Sequence, residues 1–251
     1  MNYGVKAKIR SMRGKQGMTN EDKARELRRQ LRRIERKKQE RVRQLLMAGL
    51  LCGCVLIILA SVIVCVKLIL HKEKVNPAEV LVPEYVEVNL LTPNEFSRPE
   101  IPLTEVNNIV VHYVANPCST ARENRNYFES LKDQKGGKTT SVSSHFVIGL
   151  EGEVMQCIPL GEVAYASNNR NSDTISIECC HPDTTGKFYD STYKTLVNLS
   201  AYLCREFELD AKDVIRHYDV TGKACPKYFV DNEDAWEKFH EDVEAALKVI
   251  K

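Results

Sequence analysis

The hydrophobic positions form three patterns along the chain, and the longest apolar run is the clearest of them. Leu45–Val66, "LLMAGLLCGCVLIILASVIVCV", contains 22 residues without a charge. As a helix with a rise of about 1.5 Å per residue, it reaches about 33 Å, which is enough to cross a bilayer. A cleaved signal peptide has an apolar core of only about 7–15 residues close to the N-terminus. The pattern therefore predicts a single transmembrane anchor over residues 45–70.

Before this run, apolar residues are sparse and follow a helical spacing. Residues 21–44 predict a basic helix, and residues 1–20 have the composition of a disordered segment. Four apolar side chains fall near one face of the helix, and they are Leu27, Leu31, Ile34 and Val42. That face suits a weak contact with a partner helix or with anionic lipid. The alternative is a solvated basic flank that only sets the topology.

After the anchor, short apolar runs alternate with amphipathic segments. The predicted strands cover 107–113, 173–180 and the start of 213–218, the hairpin covers 143–159, and the helices cover 119–133, 191–207 and 233–249. Ser119 is the expected N-cap of the first helix. Strands that are mixed with packing helices predict an α/β domain over residues 105–251, with a central mixed β-sheet flanked by helices.

Between the anchor and this domain, residues 71–104 contain five prolines. They are Pro77, Pro83, Pro93, Pro99 and Pro102. Proline-rich segments without a clear period form extended spacers. We therefore predict an extracellular stalk over 71–104, with a short strand near residues 86–90.

The charge is distributed unevenly and sets the expected topology. Residues 1–44 carry 16 Lys and Arg against 5 Asp and Glu, a net of +11, so the rest of the chain sums to −9. Basic residues crowd the N-terminal flank of the apolar run, and the positive-inside rule then places the N-terminus in the cytoplasm. The prediction is a single-pass protein of the cell membrane whose acidic C-terminal domain is extracellular. An acidic domain of this kind does not favour nucleic-acid binding.

The candidate chemistry lies in "RHYDVTGKACPKYF", residues 216–229. His217 and Cys225 are eight residues apart, and zinc prefers imidazole nitrogen and thiolate sulfur in tetrahedral geometry. A third ligand has to come from elsewhere. His112 is the natural candidate, because it follows an apolar strand and sites of open α/β sheets gather at that edge. By spacing alone the signal is weak, since a histidine at a strand end is often a packed residue.

Four motifs in this order add a family resemblance: "NIVVHY", "SSHFVI", "TISIE" and "RHYDVTGKACP". Over residues 90–232 the chain resembles the zinc-dependent N-acetylmuramoyl-L-alanine amidases, which share a fold with peptidoglycan recognition proteins. The resemblance implies one Zn²⁺ per domain, held by His112, His217 and Cys225. It also implies that Cys118, Cys157, Cys179, Cys180 and Cys204 remain outside the metal site, with a disulfide pairing that the sequence does not define.

The resemblance also implies the catalytic residues. Lys223 matches the catalytic lysine of the family, and Glu178 matches the glutamate of many bacterial members. Some members use a tyrosine just before the histidine of the "SSHF" motif, but Ser144 stands there, so the glutamate version is favoured. Zinc lowers the pKa of water to about 7, Glu178 transfers a proton, and Lys223 faces the developing oxyanion.

The substrate implied by the resemblance is peptidoglycan, cleaved between N-acetylmuramic acid and the L-alanine of the muropeptide stem. The loop at 166–174 would border the groove for that stem. Its polar side chains, Asn168, Arg170, Asn171 and Ser172, are the predicted substrate contacts. Two alternatives stay open. The first is a non-catalytic muropeptide-binding module on a membrane anchor, and the second is a scaffold whose main function lies in the basic tail and the anchor.

Overall fold

The computed structural model describes residues 19–70 and 74–250 and separates the chain into two units, residues 1–72 and residues 73–251. Of the disorder predicted for residues 1–20, positions 1–18 lie outside the described residues. Each unit is described below by itself.

The described part of the first unit is one helix, α1, which spans Asn20–Leu70. It joins the predicted basic helix and the apolar run without a break. Leu27, Leu31, Ile34 and Val42 are all exposed along it. An 18-residue window of this helix has a mean hydropathy of 2.8. By length and composition, this helix is long and apolar enough to cross a membrane. A signal sequence can have the same length and composition.

The second unit is built on a six-stranded sheet with the order β1-β4-β3-β5-β2-β6. The strands are β1 (Val86–Val88), β2 (Asn108–Tyr113), β3 (Phe146–Ile148), β4 (Val154–Gln156), β5 (Thr174–Cys179) and β6 (Val214–Arg216). All neighbours are parallel except β3 and β4, which form the predicted antiparallel hairpin. The expected α/β class with a mixed central sheet is confirmed.

Five helices accompany this sheet: α2 (Ala121–Ser130), α3 (Asp190–Glu206), α4 (His217–Thr221), α5 (Lys227–Asp231) and α6 (Glu233–Ile250). The predicted N-cap Ser119 is wrong by one position. Thr120 caps α2, because its side chain accepts from the Glu123 backbone N–H while the Glu123 carboxylate accepts from the Thr120 N–H. This reciprocal capping box satisfies two backbone donors at once, which Ser119 cannot do from one residue earlier.

The sheet has a hydrophobic cluster on each face, because successive strand residues point to opposite sides. Phe146 and Ile148 of β3 pack with residues of α3 and α6 on one face. Val147, between them, packs with Phe128 of α2 on the other. Both faces are therefore covered, and the functional groups at the ends of the strands are held by a buried sheet.

The predicted stalk is wrong for residues 74–104, which belong to the second unit. Strand β1 pairs with β4, and Leu91 and Leu103 are 1% and 2% exposed. Arg98 forms a two-pronged ion pair with Glu162 at 2.8 Å. The prolines suggested an extended spacer. Burial of an apolar side chain such as Leu91 or Leu103 contributes about 1.5–3 kcal/mol to stability, and this favours a folded segment over a spacer. Residues 71–73 lie outside the described residues.

Candidate metal centre

Two adjacent parallel strands bring His112 and Glu178 together. The strands β2 and β5 pair in a register that sets His112 beside Glu178, so both side chains leave the same face at the C-terminal end of the sheet. The His112 Nδ1 atom lies 4.0 Å from the Glu178 Oε1 atom. A histidine and a carboxylate that are 66 residues apart in sequence thus share one site.

The strand on the other side of β2 delivers His217. Strand β6 pairs with β2 so that Val111 is opposite Arg216, and His217 follows directly as the first residue of α4. The chain then reverses at Gly222, whose φ of 76° is in the left-handed region and whose N–H donates to the Tyr218 carbonyl. The Tyr218 N–H donates to the Cys225 carbonyl at 2.9 Å. This turn returns Cys225 to the site.

The three predicted ligands form one buried cluster. One ligand atom from each of His112, His217 and Cys225 lies within 4.8 Å of the other two. The exposed fractions are 2%, 6% and 2%. The Cys225 Sγ atom is 3.8 Å from the His112 Nδ1 atom, and tetrahedral zinc separates sulfur and nitrogen ligands by about 3.5 Å. The donor set and its spacing therefore fit a zinc ion with one position left for another ligand.

Both imidazoles are in the form that binds a metal. Burial, followed by the charges of His217 and Lys223, lowers the pKa of His112 well below its ordinary value. Burial and the Lys223 charge also lower the pKa of His217. Neutral imidazole is the ligand form, so neither histidine has to lose a proton to bind.

The buried surroundings of Cys225 favour the protonated form of its thiol. Burial and the charge of Glu178 raise its pKa to about 12, against a hydrogen bond from the Tyr113 backbone and the charge of Lys223. A bound divalent ion reverses this balance and deprotonates a coordinating thiol. Binding of a divalent ion would therefore release a proton from this site.

Glu178 has an unpartnered oxygen at the cluster. Its Oε2 atom is buried without a hydrogen-bond partner among residues 19–70 and 74–250. Burial raises the pKa of this carboxyl group to about 7, and the Lys223 charge opposes the rise. A buried polar atom without a partner is costly. It therefore points to a group that binds between Glu178 and the ligand cluster.

Lys223 lies on the exposed turn between the two ligands that α4 and its loop supply. Its charge acts on the pKa of His112, Glu178, His217 and Cys225. It is thus the nearby cation that an oxyanion formed over the cluster would meet.

The loop predicted to bind substrate is a 3-10 helix, Asn168–Asp173, whose side chains are largely occupied within the protein. The Arg170 guanidinium donates to both Asp173 oxygens and to the Asn108 side chain at 2.6–3.0 Å. The Asn171 Oδ1 atom accepts from two backbone N–H groups of the loop. The structure thus gives Arg170 and Asn171 partners within the protein, while Ser172 is exposed.

Asn168, predicted as a substrate contact, and Ser167, which the sequence analysis did not single out, both contact the ligand cluster. The Asn168 Oδ1 atom lies 2.9 Å from the His217 Nε2 atom. The buried Ser167 Oγ atom lies 3.5 Å from the His112 Nε2 atom. No spacing signal connects these pairs, because they are 49 and 55 positions apart.

The remaining cysteines stay outside this cluster. Among the residues that the structure describes, no disulfide joins the nine cysteines. Burial raises the pKa of Cys157 to about 12 and that of Cys179 well above its ordinary value. These are protonated core thiols rather than ligands.

Comparison with known proteins finds one family and a group of bacterial relatives. A family model described as N-acetylmuramoyl-L-alanine amidase (Amidase_2) matches residues 102–228, which is 127 of 251 residues. The N-acetylmuramoyl-L-alanine amidase CwlL of Bacillus licheniformis is 30% identical over 171 residues, 63% of this chain and 46% of CwlL. The amidase BlyA of Bacillus subtilis is 30% identical over 175 residues, 61% of this chain and 45% of BlyA. The chain therefore spans about half the length of the curated relatives it matches.

Solved structures share the fold of the second unit. PlyL superimposes with a TM-score of 0.54 and 23% identity, covering 64% of this chain and 98% of PlyL. The PlyG catalytic domain gives a TM-score of 0.54 and 23% identity, covering 64% of this chain and 94% of that domain. At this identity the likeness concerns the fold alone.

Proposed function

The chain belongs to the N-acetylmuramoyl-L-alanine amidase family, and from this membership we propose that it hydrolyses the amide bond between N-acetylmuramic acid and the L-alanine of the peptidoglycan stem. One observation carries the proposal. Three zinc-type donors lie within 4.8 Å of one another, and a carboxylate oxygen lies 4.0 Å from one of them. The relatives are named as amidases, which supports the same reaction class for this chain.

The proposed mechanism assigns each group a task that amide hydrolysis requires. An amide is a poor electrophile with a poor leaving group, so the reaction needs both an activated water and a proton for the departing amine. His112, His217 and Cys225 would hold the zinc ion, which supplies Lewis acidity and lowers the pKa of water to about 7. Glu178 accepts the proton of the attacking water at its unpartnered oxygen and passes it to the amine nitrogen.

Lys223 has the electrostatic task. Negative charge develops on the amide oxygen during attack, and a cation at that position stabilises the transition state more than the ground state. The exposed turn that carries Lys223 is continuous with Cys225, two residues later, so one segment provides both a ligand and the stabilising charge. Among the predicted substrate contacts, the exposed Ser172 remains available to the stem peptide.

We further propose that α1 anchors the enzyme in the cell membrane, with residues 1–44 in the cytoplasm and the amidase unit outside. The uncharged run of 22 residues and the excess of basic residues before it support this topology. An uncleaved anchor would confine hydrolysis to the peptidoglycan close to the membrane.

The activity is tested with the full-length chain in detergent and a defined muropeptide, with the products followed by mass spectrometry. We expect separate N-acetylmuramic acid and stem-peptide products, with a new amino group on L-alanine. A chelator and the Cys225→Ala variant should each abolish the products, and zinc should restore only the wild-type protein. Retention of the muropeptide by the zinc-loaded protein, without cleavage, would instead identify a binding module.

A further inference from the structure

Each proposed zinc ligand has a partner outside the cluster, and two of these partners are neighbours in one loop. Ser167 contacts His112, and Asn168 contacts His217. We infer that Asn168 is a positioning residue whose side-chain oxygen fixes the His217 imidazole with its proton on Nε2, so that Nδ1 faces the zinc ion. The inference rests on the proposed zinc site and adds a residue to which sequence reasoning gave a different role.

The chemistry of the contact determines which nitrogen is left for the metal. A neutral imidazole has one N–H donor and one acceptor nitrogen. The Asn168 Oδ1 atom can only accept, and at 2.9 Å from His217 Nε2 it takes the hydrogen of that nitrogen. The lone pair is then on Nδ1. An outer hydrogen bond of this type orients a ligating histidine and raises its basicity.

The second histidine shows the same arrangement independently. The His112 Nδ1 atom points at the Cys225 sulfur, 3.8 Å away, while its Nε2 atom faces the Ser167 hydroxyl. Both imidazoles therefore have Nε2 against the 167–168 segment. With Nδ1 of each ring toward the ion, the two ligands are equivalent in chemistry and are held by adjacent residues.

The loop is built to hold Asn168 in place. Its φ of 53° lies in the left-handed region, which asparagine tolerates better than most residues other than glycine. The Arg170 guanidinium fastens the loop to Asp173 and to Asn108 at the start of β2. Asn171 accepts from the Ser167 N–H at 2.6 Å. A side chain presented from such a clamped turn loses little entropy when it orients the ligand.

The test compares zinc affinity across matched variants of the full-length chain in detergent, by competition with a chromophoric zinc chelator. Asn168→Gly removes the acceptor while keeping a residue that accepts a positive φ. Asn168→Asp keeps an acceptor oxygen at the same place. Asn169→Gly is the control, because Asn169 is exposed in the same loop.

We expect Asn168→Gly to weaken zinc binding by about 10–100-fold, the usual cost of losing an outer partner of a metal ligand. Asn169→Gly and Asn168→Asp should bind zinc as the wild type does. In the zinc-loaded wild type with ¹⁵N-labelled histidine, the NMR spectrum should show His217 protonated at Nε2 and coordinated through Nδ1.

The outcomes separate this inference from the proposed function. If the wild type binds zinc and Asn168→Gly binds it equally well, the inference is overturned and the zinc site stands. Coordination of His217 through Nε2 overturns it too, and this measurement needs no variant to fold. If the wild-type chain binds no zinc, both fail together.

Discussion

Two loops converge on the candidate metal centre, and they differ in what they contribute. The 217–225 segment supplies two of the three ligand residues and the proposed catalytic lysine. The 167–173 loop supplies oxygen atoms that contact the outer sides of the two imidazoles. The first loop thus carries the groups that bind and react, and the second carries the groups that orient them.

The loops are also held together in different ways. The first is closed by backbone hydrogen bonds, from Gly222 to Tyr218 and from Tyr218 to Cys225. The second is held mainly by side chains, with Arg170 and Asn171 as its principal donor and acceptor. Substitutions in the first loop outside the two ligand residues should therefore change the chemical rate while the structure persists. Substitutions in the second should change stability and metal affinity first.

The largest effect is expected from a substitution of Glu178. This residue belongs to neither loop, so its loss of activity is a reference for substitutions in the two loops. Glu178→Gln keeps the size of the side chain but removes its ability to transfer a proton. We expect hydrolysis of the muropeptide to fall by about 10²–10⁴-fold, with zinc affinity close to that of the wild type. Steady-state kinetics and chelator competition measure the two quantities.

Glu151→Gln, on an exposed turn, is the matched control for Glu178→Gln. A Glu178→Gln enzyme that hydrolyses at the wild-type rate would remove the carboxylate from the mechanism. The proton transfer would then have to be assigned to another group, such as one in the 217–225 segment.

The second-largest effect is expected from a substitution of Lys223 in the first loop. Lys223→Ala should lower kcat by about 10²–10³-fold, the cost of removing one stabilising donor from an oxyanion site. KM and zinc affinity should change little, because the lysine is exposed and lies outside the ligand set. Lys227→Ala, four residues later and paired with Asp231, is the control. A loss confined to KM would assign Lys223 to ground-state binding instead.

The contrast between the loops also explains what the sequence could reveal. His217 and Cys225 are eight residues apart in the chain, so their residue types and spacing suggested two ligands of a metal site, while the family resemblance supplied the role of Lys223. His112 and Glu178 end apolar strands, and the sheet edge is a known place for such groups. The register that sets them side by side is formed between segments far apart in the chain. Before the structure, only the family resemblance assigned both residues to one site, and it did not define this register.

For the 167–173 loop, the sequence held no signal of contact with the metal ligands. Arg170 and Asn168 were predicted as substrate contacts, since their partners Asn108 and His217 are 62 and 49 residues away. The 74–104 segment misled for a related reason. Its prolines are a local signal of a linker, whereas burial of Leu91 and Leu103 depends on surfaces formed elsewhere. Local patterns predicted the elements, and long-range packing determined the roles.

The smallest effect is expected from a substitution of Arg170, whose guanidinium holds the second loop through hydrogen bonds to Asp173 and Asn108. Arg170→Met keeps the length of the side chain and removes the donors to Asp173 and Asn108. We expect the free energy of unfolding to fall by about 1–3 kcal/mol, as for hydrogen bonds to charged groups, and zinc affinity to fall with it. Urea unfolding and chelator competition of the full-length chain measure both quantities.

Arg122→Met is the control for Arg170→Met, because Arg122 also pairs with a carboxylate, that of Glu87, but at the surface. The Arg122 side chain is 58% exposed, against 31% for Arg170. An exposed pair contributes about 0–1 kcal/mol, so this variant should unfold nearly as the wild type does. At saturating zinc, kcat of Arg170→Met should return toward the wild-type value, since the reacting groups lie on other segments. A large loss of kcat that excess zinc does not restore would mean that the 167–173 loop takes part in the reaction, and the division between the two loops would fail.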